Sequence, residues 1–105
     1  MPSIEQLEKL LLAEPDDVFL NFGLAMQLAQ AGRVEDACRQ FARVLEIDAR
    51  YIAAYLHWGK TLLAAGRHGE ARDVLARGAA VAEAAGDRHA RDEMRSLALA
   101  IPSGG

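Results

Sequence analysis

The chain has 105 residues, 51% hydrophobic and 26% charged, with a formal net charge of −3. This is about one domain's length, and an acidic balance without any Lys/Arg run excludes a basic face for nucleic-acid phosphates. No apolar run approaches the roughly 18 residues of a membrane span, and the acidic first segment does not read as a signal peptide. The single cysteine, Cys38, allows no internal disulfide, so the cytoplasm is the default location.

Alanine and leucine dominate the apolar half, while β-branched and aromatic residues are few. Summed propensity therefore favours an all-α chain, and no stretch alternates with the period of a strand. Ser3-Ile4-Glu5-Gln6 has the form of a capping box, and Ile4, Leu7, Leu10 and Leu11 give an apolar face, predicting a helix over 3–14. Pro15 ends it, and Asp16-Asp17 offers the next N-cap. Residues 16–49 read as two helices, Leu20, Leu24 and Leu28 on the first and Val34, Ala37, Cys38, Phe41, Val44 and Leu45 on the second. Residues 50–85 repeat the arrangement, with Tyr51, Tyr55, Trp58, Leu62 and Ala65, then Ala71, Val74, Leu75 and Gly78. Gly32 and Gly66 stand where each first helix must stop, in the left-handed conformation that glycine adopts without strain. Gly86-Asp87 closes one helix and caps a last one over 87–101, whose stripe of Ala90, Met94, Leu97 and Ile101 lies opposite Arg88, Arg91, Asp92 and Arg95. Residues 102–105 are expected to form a short frayed tail.

A shift of 34 residues superposes the two pairs without a gap. Leu28/Leu62, Ala31/Ala65, Gly32-Arg33/Gly66-Arg67, Ala37/Ala71 and Ala42-Arg43/Ala76-Arg77 are identical. Val18/Ile52, Leu24/Trp58, Phe41/Leu75 and Ile47/Val81 agree in class, and Ala25 and Gly59 are both small. These residues resemble the tetratricopeptide repeat family, whose unit is a helix–turn–helix of 34 residues. The family's adjacent large and small residues in the first helix match Leu24-Ala25 and Trp58-Gly59. Its later small and large pair matches Ala37 and Phe41, then Ala71 and Leu75. Two positions depart from the pattern: Ala49 stands where the family often has Pro, and Asn21 where an early aromatic is expected (Tyr55 in the second unit). The resemblance implies one all-α superhelical domain of about six helices. These are a half repeat, two full repeats and a capping helix with a polar outer face, and the first Met, the capping box and the closing helix suggest a complete chain.

No catalytic constellation emerges. His57, His68 and His89 lie mid-helix, in a turn after Gly66 and in the first turn of the last helix, without ligand spacing. Asp87, His89 and Glu93 are the best metal candidates, yet they read better as an acidic helix start. Cys38 beside Ala37 reads as a small apolar residue, and no glycine-rich loop could cradle phosphate. Adjacent carboxylates at 16–17, 35–36 and 92–93 point apart on a helix. No enzyme activity, metal or cofactor is expected.

The resemblance implies instead an adaptor or scaffold that holds a peptide or a partner helix along a concave groove lined by first helices. With Leu20, Leu24 and Leu28 packed inward, the groove face carries Phe19, Phe22, Met26 and Gln30, then Ala53, Leu56, His57, Lys60 and Leu63. Met and aromatic residues suit adaptable binding surfaces. Two readings of this face stay open, an exposed interface or core covered by the terminal helices. A family subclass grips the C-terminal carboxylate of chaperone peptides with Lys and Asn at positions that here are Phe22 and Met26, so that clamp is not expected. The competing reading is a self-assembling protein, a homodimer formed through the groove or by exchange of helices.

Overall fold

A computed structural model describes residues 2–102. Among them are six helices and no strand: α1 (Ile4–Ala13), α2 (Val18–Gln30), α3 (Val34–Ile47), α4 (Ile52–Ala64), α5 (His68–Ala85) and α6 (Arg88–Leu99). They form two compact units, Met1–Tyr51 with α1–α3 and Ile52–Gly105 with α4–α6. Of the tail expected at 102–105, Pro102 is exposed and 103–105 lie outside the described residues.

In the first unit, α1 opens with the capping box expected from the sequence. The Ser3 amide donates to Gln6 Oε1 at 2.8 Å, and the Gln6 amide donates back to Ser3 Oγ at 3.2 Å. Asp17 caps α2, its Oδ1 accepting from the Leu20 amide at 2.9 Å. The core is Leu7, Leu24, Ala25, Leu28, Ala37, Phe41, Val44 and Leu45. Asn21, the departure from the aromatic pattern, is also buried. Its Nδ2 donates to the carbonyls of Pro15 (3.0 Å) and Asp17 (2.8 Å), and its Oδ1 accepts from Gln40 Nε2 of α3. It thus ties the α1–α2 link to the hairpin, and hydrogen bonding offsets the cost of burying an amide. One residue before Ala49, the position where the family often has Pro, Asp48 ends α3: its Oδ1 accepts from the Arg50 amide at 3.0 Å and its carbonyl from the Tyr51 amide at 3.1 Å.

The helices of each hairpin are joined by the same glycine turn. Gly32 and Gly66 have φ of +77° and +74°. In the first turn the Gly32 amide donates to the Ala29 carbonyl and the Arg33 amide to the Leu28 carbonyl. In the second, Gly66 donates to Leu63 and Arg67 to Leu62. Orphan carbonyls at the helix end are satisfied in the same pattern both times. After each turn an arginine pairs three residues on, Arg33 with Asp36 and Arg67 with Glu70. His68, expected in the turn, is the first residue of α5.

The second unit is closed by small residues at helix contacts. A Cβ on Gly59 would lie 2.4 Å from Leu75 Cδ2, and one on Gly78 would lie 2.4 Å from Tyr55 Cβ and 2.5 Å from Met94 Sδ. Gly78 therefore lets both α4 and α6 approach α5. Ala90, Met94 and Ile101 of the expected stripe are buried, although Ile101 lies beyond the end of α6. Arg72 holds that segment by donating to the Pro102 carbonyl at 3.3 Å.

Two glycine-to-alanine substitutions should have opposite signs. Gly78→Ala gains helix propensity but overpacks a rigid contact, and should lower stability by about 1–3 kcal/mol. Gly23→Ala, whose Cβ would meet only Leu7 at an ordinary 3.6 Å, should raise it by about 0.5–1 kcal/mol. Thermal unfolding followed by circular dichroism checks both.

Candidate functional site

The face of α2 expected to meet a partner carries an aromatic cluster. Phe19, Phe22 and Met26 recur at spacings of three and four, one side of the helix. Phe19 is 72% exposed, whereas Phe22 and Met26 are half-buried. The Phe22 ring meets Phe41 of the core edge-on at 6.3 Å and tilts against Tyr51 at 5.1 Å. Phe19 reaches the same Tyr51 edge-on at 6.2 Å. Tyr51 was expected among the core positions of the second pair's first helix. It instead precedes α4 and completes the cluster of the first unit, with burial and the nearby Asp48 carboxylate pushing its hydroxyl pKa up. The two open readings are thus divided along one helix: Phe19 faces solvent, and Phe22 bridges surface and core.

In the second unit Leu56, His57 and Leu63 are half-buried and Lys60 is exposed. Lys60 Nζ lies 3.6 Å from Glu93 Oε2 of α6, so the last helix supplies an acidic neighbour that the expected groove did not include. Burial of the His57 ring, and secondarily the Lys60 ammonium, hold His57 below the ordinary histidine value, with Glu93 opposing them. Trp58, the large residue of the repeat signature, is half-buried, and its Nε1 is buried without an acceptor among the described residues.

Several other charged groups form surface ion pairs. Asp16 pairs with Arg43, Asp36 with Arg33 and Arg39, and Glu83 and Asp92 with Arg91. Arginine hydrogen bonds hold Asp36, Glu70, Glu83 and Asp92 below the usual carboxylate range, and solvent screens such exposed pairs. Asp87 is the N-cap of α6, accepting from the Ala90 amide at 3.0 Å. No group of three or more His, Cys, Asp or Glu able to hold a metal occurs among the described residues. Cys38 is a half-buried free thiol. No helix of the described residues is long and apolar enough to cross a membrane.

Tetratricopeptide repeat profiles match residues 1–53 and 28–91. The chain belongs to the tetratricopeptide repeat family. It is 38% identical over 91 residues to a TPR repeat-containing protein of Pseudomonas aeruginosa, covering 87% of each chain. A tetratricopeptide repeat domain protein of Salinibacter ruber superposes with a TM-score of 0.77 at 26% identity, covering 88% of this chain and 93% of that one. The TPR2B domain of yeast Sti1, solved as a complex with pHsp70, shares the fold at a TM-score of 0.83 and 16% identity, over 91% and 77% of the two chains.

Tetratricopeptide repeats are protein–protein interaction modules, and in this family member each repeat's first helix has a different surface chemistry. The first presents aromatic rings, and the second presents a cation answered by Glu93. The position of Tyr51 was not readable from helical period, which runs unbroken through the boundary at Ile52. The Lys60–Glu93 approach joins residues from different helices, and no local spacing announces it.

The His57 environment gives a pH test. A histidine whose folded pKa is depressed stabilises the fold above its ordinary value of 6.5, and that contribution fades as pH falls from there toward the lowered folded value. The arginine-paired carboxylates act in a lower window, as pH falls below their ordinary values of 3.8–4.5. Stability should therefore decline on mild acidification, and His57→Gln should flatten the decline. In ring-proton NMR titrations, Glu93→Gln should lower the His57 midpoint further and Lys60→Met should raise it.

Proposed function

We propose that the chain is a non-catalytic adaptor that binds a partner protein, as an extended peptide or an amphipathic helix, against the first-helix faces of its repeats. The observation that carries this reading is Phe19, an aromatic ring left 72% exposed yet held edge-on against Tyr51. A large apolar ring in water gains roughly 1.5–3 kcal/mol when fully covered, and aromatic anchors of this kind dominate protein interfaces. Tyr51, itself packed against Phe22, braces it, so less conformational entropy is lost on binding. Leu56, His57, Lys60 and Leu63 of α4 are the second proposed contact face, with Lys60 and Glu93 offering polar contacts. Binding of pHsp70 by the Sti1 domain supports partner capture by this fold. Phe22 and Met26 stand where a carboxylate clamp would need Lys and Asn, which favours recognition by apolar burial. We place the protein in the cytoplasm, a reading its single cysteine supports.

Partners isolated on the immobilised chain and identified by mass spectrometry should be lost, or weakened about ten- to a hundredfold, by Phe19→Asp. The exposed position should leave helicity and melting temperature near those of the parent. Partners that bind the folded Phe19→Asp variant undiminished would remove α2 from the proposed site.

A further inference from the structure

Aromatic rings of the first unit meet at one corner, and a carboxylate stands beside them. Phe19 and Phe22 come from α2, and both pack against Tyr51, at 6.2 Å and 73° and at 5.1 Å and 51°. Phe22 continues into the core through Phe41, so the side of the corner left in water is formed by Phe19, 72% exposed, and the half-buried Tyr51. The turn that ends α3 fixes the carboxylate: the Tyr51 amide donates to the Asp48 carbonyl, and Asp48 Oδ1 accepts from the Arg50 amide. Ring and carboxylate therefore leave the same short turn.

The charges around the corner are unevenly engaged. Asp16 is paired with Arg43, and Asp17 caps α2, which answers the positive end of that helix. Asp48 has no ion pair among the described residues, one of its oxygens being held by an uncharged amide. Arg50 leaves the same turn, yet among the described residues its guanidinium neither pairs with a carboxylate nor lies over a ring. Burial, and after it the Asp48 carboxylate, raises the Tyr51 hydroxyl pKa with no cation opposing them. The negative field at the ring is thus that of Asp48. Aromatic faces carry negative quadrupole charge as well, so rings and carboxylate act in the same sense on an approaching cation.

We propose that this corner receives an arginine side chain of the partner, its guanidinium laid on the exposed Phe19 and Tyr51 rings and its N–H groups donating to Asp48. A guanidinium suits the place better than an ammonium, because it is planar, more weakly hydrated and offers several donors to a carboxylate. The same chemistry occurs within the second unit, where the Arg77 guanidinium lies 5.7 Å from the centroid of the Tyr55 ring. The proposal rests on the partner site placed on α2 above. To a site whose affinity comes from covering apolar rings it adds one requirement, a cationic residue at the Asp48 edge.

Two capped peptides added to the 105-residue chain test it. One is acetyl-Ala-Leu-Arg-Leu-Ala-amide, and the other has citrulline, an uncharged isostere, in place of arginine. In aromatic-proton NMR the arginine peptide should shift the Phe19 and Tyr51 ring signals and bind about three- to tenfold more tightly than the citrulline peptide. Asp48→Asn, which keeps an oxygen for the Arg50 amide, should remove most of that preference. Phe19→Leu, which keeps apolar area without an aromatic face, should reduce it. Both positions are exposed, and unchanged circular dichroism verifies folding. Equal binding of the two peptides, a preference that survives Asp48→Asn, or rings that neither peptide shifts would each overturn the proposal. If the peptides bind alike and Phe19→Asp abolishes both, the arginine contact falls and the apolar partner site on α2 stands.

Discussion

The structure depends on a backbone reversal that L side chains rarely adopt. A first helix must end, turn and send a second helix back along the same apolar face within a few residues. Gly32 and Gly66 do this at φ near +75°, with two backbone hydrogen bonds returning to the helix just finished. A Cβ at either position would meet no neighbour, so the demand is conformational and not steric. Gly86 repeats the turn at the end of α5, where the Asp87 amide closes on the Ala82 carbonyl and the Asp87 side chain caps α6.

Once the hairpins are formed, the two repeats fill equivalent space differently. Asn21 and Tyr55 are equivalent by the 34-residue shift, and both are buried. The positions equivalent to each other on the returning helices are Val44 and Gly78. A small side chain is thus matched with a larger one in the first repeat, and a large ring with bare backbone in the second. Close packing requires such compensation, because neither a void nor an overlap is tolerated cheaply. The first repeat also gains specificity by hydrogen bonding: Asn21 reads two loop carbonyls and Gln40, contacts that Tyr55 could not reproduce.

Features that repeat or that act locally were legible in the residues. The glycine turns, the Ser3–Gln6 capping box, the Asp17 and Asp87 caps and the Ala90–Met94 stripe each declare themselves within a few positions. Helical period placed Phe19 on the groove face, and its exposure became visible only in the structure. What was hidden depends on residues distant in sequence. Asn21 looked like a defect because its partner Gln40 belongs to the opposing helix. Lys60 was placed on the groove face with no ion partner named, because Glu93 approaches it from α6. That approach falls outside the repeat register: α5 has 18 residues where α3 has 14, so α6 does not start where the shift would place it. Tyr51 was assigned to the wrong side of a boundary because the apolar period continues through it.

The contrast between matched positions shows what a repeat helix requires. Each second helix packs along its own first helix, α3 on α2 and α5 on α4. Val44 in α3 is fully buried, while Leu10 in α1, offering a similar apolar volume at the same position, is half in water. The backbone and the residue class are alike, so the difference lies in what packs against each helix, with α2 covering this side of α3. In α6 the adjustment is in composition: Arg95 stands beside the alanines of α5, and its stem can lie on the apolar wall while its charge stays hydrated. The alanines of α5 receive no such cover. The small alanine side chains beside a hydrated arginine keep modest the apolar area left in water on this face.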